Sequence, residues 1–411
     1  MRFSQLFTKT SKEAPADEEA INAKLLIRGG FVFKNSAGIY SFLPLGFRVL
    51  TKIANVIREE MNAIDGQEIF MPSLVEKKYM EPTGRWNLDV GYFARAKNEE
   101  EANFVLGWSH EEVLTAIASK FISSYKDLPF AAYQIQTKFR HEARAKSGLL
   151  RGREFMMKDL YSFHASQESL NEYYAKAAQA YHKIFERCGL KSIYTLAAGG
   201  IFTDKFTHEF QVVSDVGEDT IYINEEKNEA INKEVLDGKG LNHLGWKKEG
   251  LIEKKSIEVG NIFDQGTKYS EALGLEFSDE SGDKRPVVMG AYGIGLGRVM
   301  ATAVEIHNDE RGIMWPENIA PFKAHLIVMD GHNKEADQVY SDLTKAGIEV
   351  LYDDREDKTP GEKFADADLI GCPIRLVVSK KTIAQDSIEL KHRNQKEFKL
   401  IKLTEILKDI K

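Results

Sequence analysis

From Gly46 onward the apolar side chains Phe47, Leu50, Ile53, Ala54, Ile57 and Met61 recur at three- and four-residue spacing, which predicts an amphipathic helix ending near Ala63. Ahead of it, LLIRGGFVFKNSAGIYSFLPLGFRVL places short β-rich runs between glycines, so two or three short strands are expected. After Gly66, residues 67–71 read as a strand stopped by Pro72, whose ring fixes φ and removes a ladder donor. Residues 103–107 read as another strand, followed by a helix through Leu114, Ile117 and Phe121. The apolar run before Phe139 and the run 154–161 bracket a charged loop, giving strand, loop and strand. Residues 167–188 carry helical spacing, and 197–213 alternate polar with apolar. Residues 257–269 and 285–292 are strand candidates, and the second runs into GIGLGRVMATAVEIH.

Beyond Pro321 the pattern changes. Strands at 325–329, 349–352 and 375–378 alternate with helices at 334–345 and 361–370, and residues 388–392 and 398–410 add a strand and a short helix. A separate α/β domain is therefore expected, entered through WPENIAPF. Residues 224–255 are charged and weakly apolar, which marks an inserted or abbreviated subdomain.

Composition narrows the class. A chain of 411 residues has room for two or three domains, each with its own core. Two cysteines, Cys188 and Cys372, cannot supply a four-ligand structural zinc site, and distant unpaired thiols suit a reducing compartment, so a cytoplasmic location is expected. No run has signal-peptide or membrane-span character. A net charge of −7 argues against a general nucleic-acid coat protein. The segment from Gly371 to Lys411 nonetheless holds ten Lys or Arg against five Asp or Glu.

The charged loop carries the chemistry. Arg140, Glu142, Arg144, Lys146, Arg151 and Arg153 lie between two predicted strands, where they either converge on a polyphosphate or decorate a solvated hairpin. Ser109 and Glu112 have the spacing of a capping box. The alternative there is that Glu111 projects into a pocket and meets a substrate ammonium, while His110 reads as structural. Alternation across Thr207 to Gln211 points His208 or its neighbours at any ligand nearby. Gly293, Gly295 and Gly297 invite a dinucleotide fingerprint, but Arg298 occupies the third glycine position of GxGxxG and no βαβ unit precedes it. Arg298 instead opens a helix, where its guanidinium joins the positive helix end as a seat for phosphate.

A helix and strand ending at Pro72, an RxE loop at Arg140 to Glu142, and GxGxxR at Gly293 to Arg298 together resemble the class II aminoacyl-tRNA synthetases. GWSHEEV, YQIQTKFRHEARAKSGLLRGREFMMKDLYSF, HEFQ, EVGNIFDQGTKYSEALG, GAYGIGLGR and DERGIMWPENIAPF are similar to the bacterial-type prolyl-tRNA synthetase family over nearly the whole chain. The resemblance implies an α+β fold: a class II antiparallel sheet flanked by helices over 1–320, plus a C-terminal α/β anticodon-binding domain over 321–411. It implies homodimerisation through the helix and strand ending at Pro72.

It also implies roles. Arg140 would hold the ATP α-phosphate and the amino-acid carboxylate, Glu142 would read the adenine amino group, Phe155 would stack on adenine, and Arg151 and Arg298 would bind the outer phosphates. Ser109 and Glu111 would accept the two N–H donors of L-proline's secondary ammonium, with Met157, Tyr161 and His208 lining its pocket. ATP is the expected co-substrate, with Mg2+ held mainly by phosphates and water and Glu209 as a further ligand, and no zinc is expected. The expected partner is tRNA(Pro), read by Asp353, Asp354, Arg355, Glu362, Lys363 and Phe364 near strand and helix ends, and no membrane is expected. Rival amino acids within the class are threonine, serine, glycine and histidine.

Three departures from the family pattern stand out: Trp108 for proline, Ser109 for threonine, and Ala291 for cysteine. Residues 224–255 are far too short for the family's large editing domain, so no editing in cis is expected and mischarged alanine falls to a separate deacylase or is tolerated.

Overall fold

A computed structural model describes every residue except Asp17, Arg144, Asp330 and Lys411. The chain divides into two compact units. One comprises residues 36–39 and 53–302, the other residues 1–35, 40–52 and 303–411.

The first unit is built on a nine-stranded sheet. Its spine is the antiparallel pair Phe130–Phe139 and Glu154–His164, running from Phe130 opposite Phe163 to Phe139 opposite Glu154. Val288–Gly295 lies antiparallel on the far side of Glu154–His164, and Ile252–Gly266 follows it. The long strand Ile252–Gly266 pairs in succession with Asp219–Asn224 and Phe206–Val213, because its fifteen residues outreach either neighbour. The helix Gln167–Arg187, capped by the Ser166 hydroxyl, buries Leu170, Ala177, Tyr181, Ile184 and Phe185.

Two expectations change. The strand expected over 67–71 ends as Gly66–Glu68, parallel to 131–133. Past it the Gln134 side chain accepts from the Met71 amide, and the Gln136 side chain donates to the Met71 carbonyl, so glutamine side chains replace the ladder before Pro72 is reached. Residues 224–255 contribute to the main sheet: Glu229–Asn232 inserts between Ile193–Ala198 and Asp219–Asn224, and Ile231, Val235 and Trp246 bury there with Leu196. Alternating apolar residues made this piece of sheet short and hard to see among its charges.

In the second unit a five-stranded sheet has the order Val350–Asp353, Ala324–Val328, Ile374–Val378, Ser387–His392 and Lys399–Lys402. The first three are parallel and the last two antiparallel. Asn333–Lys345 and Pro360–Ile370 supply the crossover helices, the latter opened by a capping box from Thr359 to Glu362 with Pro360 in its first turn. The N-terminal segment belongs to this unit: Arg2 bridges Tyr352 at the sheet edge, and Phe3 is buried beneath the Arg355 guanidinium at 3.9 Å.

Candidate active site

The strands Glu154–His164, Ile252–Gly266 and Val288–Gly295 form the floor of a cleft of about 1050 Å³ counted to its open mouth, room for an amino acid beside a nucleotide. Strand alternation points Phe155, Met157, Asp159 and Tyr161 to the same face, and all four line the cleft. Ser109, Glu111, Arg140, Glu142, Arg151 and Arg298 line it too. Nine of the side chains singled out in the sequence thus meet in one place.

Arg140 directly follows the strand Phe130–Phe139, with its guanidinium 5.3 Å from the Phe155 ring. Among the described residues its Nε and Nη2 donate to the Trp108 carbonyl, at 3.4 and 3.3 Å. Burial lowers its proton affinity and the nearby Arg298 charge lowers it further, yet no carboxylate pairs with it among the described residues. The other two arginines hold carboxylates. Arg151 Nε meets Glu142 at 2.9 Å and its Nη1 meets Glu218 at 2.6 Å. Arg298, in the first turn of the helix Leu296–Ile306, meets Glu258 at 2.8 Å and donates to the Leu150 carbonyl.

The other end of the cleft is anchored by a buried polar lattice. Tyr161 donates to Asp159 and accepts the His110 amide at 2.7 Å. Lys138 pairs with Asp159 at 2.9 Å and reaches His110 Nδ1, while His110 Nε2 contacts the Pro72 carbonyl at 3.0 Å. His110 is thereby a structural residue. The capping-box reading fails: the helix Glu111–Ala118 begins after His110, and no side chain caps it. Ser109 and Glu112 are turned to Arg85 instead. Glu111 is fully buried, with Arg85 on one oxygen at 2.9 Å and Gln265 on the other at 3.2 Å. Burial alone would raise its proton affinity, but the Arg85 charge together with hydrogen bonds from Ser109 and Arg85 outweighs this and keeps it lowered, so Glu111 is an anion.

Two expected residues lie elsewhere. His208 is not among the lining residues: its ring stacks on Tyr194 with centroids 4.3 Å apart, and Nδ1 shares a hydrogen bond with the Tyr174 hydroxyl. Burial, helped by the His243 charge, pulls it down to about 4, leaving it neutral. Glu209, on the same strand, is turned to Gln211 and to Asn232 at the end of Glu229–Asn232, whose side-chain amides both donate to Oε2. Burial, with the Glu258 charge second, pushes its carboxyl up to about 8, so the geometry does not present it as an ionised cation ligand. Among the described residues no cluster of three or more His, Cys, Asp or Glu is arranged to hold a metal. Arg144 lies outside the described residues.

Sequence reasoning missed Arg85, Gln265, Glu258, Asp159 and Phe202. Gln265 and Glu258 lie inside EVGNIFDQGT, so the motif contained them without assigning them roles. Trp108, whose substitution put the pocket wall in doubt, is buried behind the site with its ring 4.5 Å from the Arg85 guanidinium, whereas Ala291 does line the cleft. The residues considered for anticodon reading are engaged in the fold. Asp353 and Asp366 clamp Arg355, Asp354 takes Arg2 and Ser4, Glu362 serves the capping box, Lys363 donates to the Val328 carbonyl, and Phe364 lies under Arg375.

This antiparallel sheet, with an arginine-rich strand pair on one side and a glycine-rich strand opening into an arginine-bearing helix on the other, defines a class II aminoacyl-tRNA synthetase core. Residues 93–307 match the tRNA synthetase class II core domain (G, H, P, S and T), and residues 319–411 match the anticodon binding domain. The proline--tRNA ligase of Exiguobacterium sibiricum is 35% identical over 100% of this chain and 99% of its own length, and that of Geobacillus kaustophilus 34% over 99% and 98%. The chain belongs to the proline--tRNA ligase family. The alignment with the Exiguobacterium protein runs over 562 positions against 411 residues here, so that relative carries a long stretch this chain lacks. The fold is also that of prolyl-tRNA synthetase from Cryptosporidium parvum complexed with L-proline and AMP, with a TM-score of 0.77 at 18% identity over 95% of this chain and 74% of that one. Giardia lamblia prolyl-tRNA synthetase in complex with prolyl-adenylate gives 0.77 at 20%, over 93% and 73%.

Proposed function

We propose that the cleft binds L-proline and ATP side by side, with Arg140 between their two anionic groups. The chain is a proline-tRNA ligase: it activates L-proline with ATP to prolyl-adenylate and pyrophosphate, then transfers prolyl to the 3′ end of tRNA. In the first step a proline carboxylate oxygen attacks the α-phosphorus and pyrophosphate leaves. No side-chain nucleophile is needed, so the protein contributes alignment and cationic stabilisation of the pentavalent phosphorus. The observation that carries this reading is Arg140, a forked cation facing the cleft with no carboxylate of its own among the described residues.

Phe155 offers a face to adenine, and Glu142, once released from Arg151, accepts from the adenine amino group. Arg151 and Arg298 exchange Glu218 and Glu258 for the outer phosphates, so each guanidinium keeps an anion, and the part-exposed carboxylates they release turn to water. Glu111 and Ser109 take the secondary ammonium, while Met157, Tyr161 and Ala291 bound the ring. Magnesium enters bound to ATP, held by phosphate oxygens and water.

We further infer a homodimer assembled through the segment ending at Pro72, on the support of Phe70 and Leu74, which flank it at 79% and 51% exposure. We infer a cytoplasmic enzyme; among the described residues no helix is long and apolar enough to cross a membrane. Pyrophosphate exchange with a panel of amino acids tests the central claim. Proline should support exchange, and a stronger signal with threonine, serine, glycine or histidine would overturn it.

A further inference from the structure

Arg85 is deeply buried and unused by the chemistry above. It lies on the 3-10 turn Arg85–Asn87, and although Glu111 and Ser109 line the cleft, Arg85 and Glu112 do not. Nη1 contacts Glu111 Oε2 at 2.9 Å and the Glu112 oxygens at 2.9 and 3.0 Å, and Nη2 donates to the Ser109 hydroxyl. One guanidinium therefore grips both groups that face the ligand's nitrogen.

The two carboxylates are not equivalent: burial raises the proton affinity of Glu112 and the Glu111 charge adds to this, whereas that of Glu111 is lowered, so Glu111 is the anion of the pair. Two buried carboxylates share one arginine, and the adjacent Lys138 and Asp159 neutralise each other. Glu112 is enclosed by Arg85 and the Thr83 hydroxyl at 2.8 Å, so the open valence of the group is on Glu111, at the cleft. A desolvated negative charge calls for a cation. The Trp108 ring over the guanidinium excludes water from its other side and holds it in place.

We propose that Arg85 is the positioning residue of the amino-acid ammonium subsite: it orients Glu111 and Ser109 to accept two N–H donors and, being shared between Glu111 and Glu112, leaves the cleft-facing Glu111 able to receive the ligand's ammonium. The inference rests on the reading that Glu111 meets proline. It also accounts for the tolerance of serine and tryptophan at 109 and 108: the hydroxyl is held by Arg85 rather than by a β-branched rotamer, and the tryptophan serves the arginine, not the pocket wall.

The test uses the full-length chain and its Arg85→Met, Arg85→Lys and Glu111→Gln variants in pyrophosphate exchange. Tetrahydrofuran-2-carboxylate, the ring-oxygen isostere of proline without an ammonium, serves as competitive inhibitor. Arg85→Met should raise KM for proline on the order of 10- to 100-fold, the effect of losing an oriented charged hydrogen bond. KM for ATP and the inhibition constant of the isostere should stay within about twofold, since neither touches the subsite. Arg85→Lys, which keeps the charge but cannot reach all three partners, should recover part of the loss. If proline, ATP and isostere weaken together, Arg85 is only scaffold and the inference falls. It falls equally if proline KM is unchanged in both Arg85 variants, and where Arg85→Met does not fold, an unchanged proline KM in Arg85→Lys decides against it. An unmoved proline KM in Glu111→Gln overturns the underlying reading itself; weakened binding there with none in the Arg85 variants overturns only the inference.

Discussion

Arg140, Arg151 and Arg298 share a cleft but differ in what they hold. Arg151 and Arg298 each carry a carboxylate, in the places proposed for the outer phosphates, whereas among the described residues Arg140 donates to a backbone carbonyl and pairs with no carboxylate. Removing Arg140 therefore removes stabilisation that nothing nearby can replace: Arg140→Ala should lower pyrophosphate exchange by about 10²- to 10³-fold or more, the range seen for loss of one transition-state donor. Glu142→Ala should act chiefly on KM for ATP, and unchanged exchange in both variants would refute the site. Glu209 gives a pH signature. Its folded carboxyl titrates near 8 against an ordinary 4.5, so the folded state holds the proton more tightly. The stability it contributes is whole below about 4.5 and is lost as the pH rises through about 8. Thermal melts of the wild type and Glu209→Gln should diverge on going from pH 5.5 to 8.5, the variant becoming relatively more stable by roughly one to a few kcal/mol; an offset independent of pH would reject this. Nine site residues were legible in the sequence because each sat in a run whose period or motif was visible. Arg85 was not, since it lies in a short 3-10 turn between a one-turn helix and a two-residue strand, with neither helical nor strand periodicity.

Among the elements, the N-terminal segment departs most from what periodicity indicates. A polar start without a repeating pattern turns out to be threaded into the C-terminal unit by Arg2, Phe3, Ser4 and Thr10, with Tyr352 donating its amide to the Met1 carbonyl. Burial of Phe3 under Arg355 makes that edge of the sheet dependent on it, so Phe3→Ala should cost about 3 kcal/mol. Hydrogen exchange of the amides in Val350–Asp353 should quicken on the order of a hundredfold, and unaltered exchange would show that the segment merely rests there. The segment before Pro72 is the complementary case. Its ladder stops early, leaving Phe70 outward, and Phe70→Glu should convert a sedimenting dimer into monomer by burying a charge at the contact. A wild type that sediments as monomer would dispose of the proposed interface. Long amphipathic helices and strands were readable because their period repeats over many residues; the short strands of 219–232 were not, since four to six residues give too few repeats to separate from a charged loop.

For the whole molecule the missing stretch matters most. The pocket accepts proline, alanine is smaller, and absent methylenes typically yield only ~10- to 200-fold discrimination. Alanyl-tRNA should therefore form at a measurable rate, and the purified chain should not hydrolyse it; release of alanine from that tRNA by this chain alone would show that editing resides in what is present. A separate deacylase, or tolerance, follows from the proposal. By itself the sequence determined the class of chemistry, the α+β organisation and most of the cleft, because repeated periods and spaced arginines are local facts that survive without coordinates. Only the tertiary structure decided that His208 turns to Tyr194 and to Tyr174 of the helix beside it and Glu209 to Gln211 and Asn232, that the candidate anticodon residues are bound up in the fold, and that Arg85 stands behind Glu111. Those outcomes depend on which side chains distant in sequence compete for the same hydrogen bonds and the same buried charge, and that competition exists only once the strands are paired.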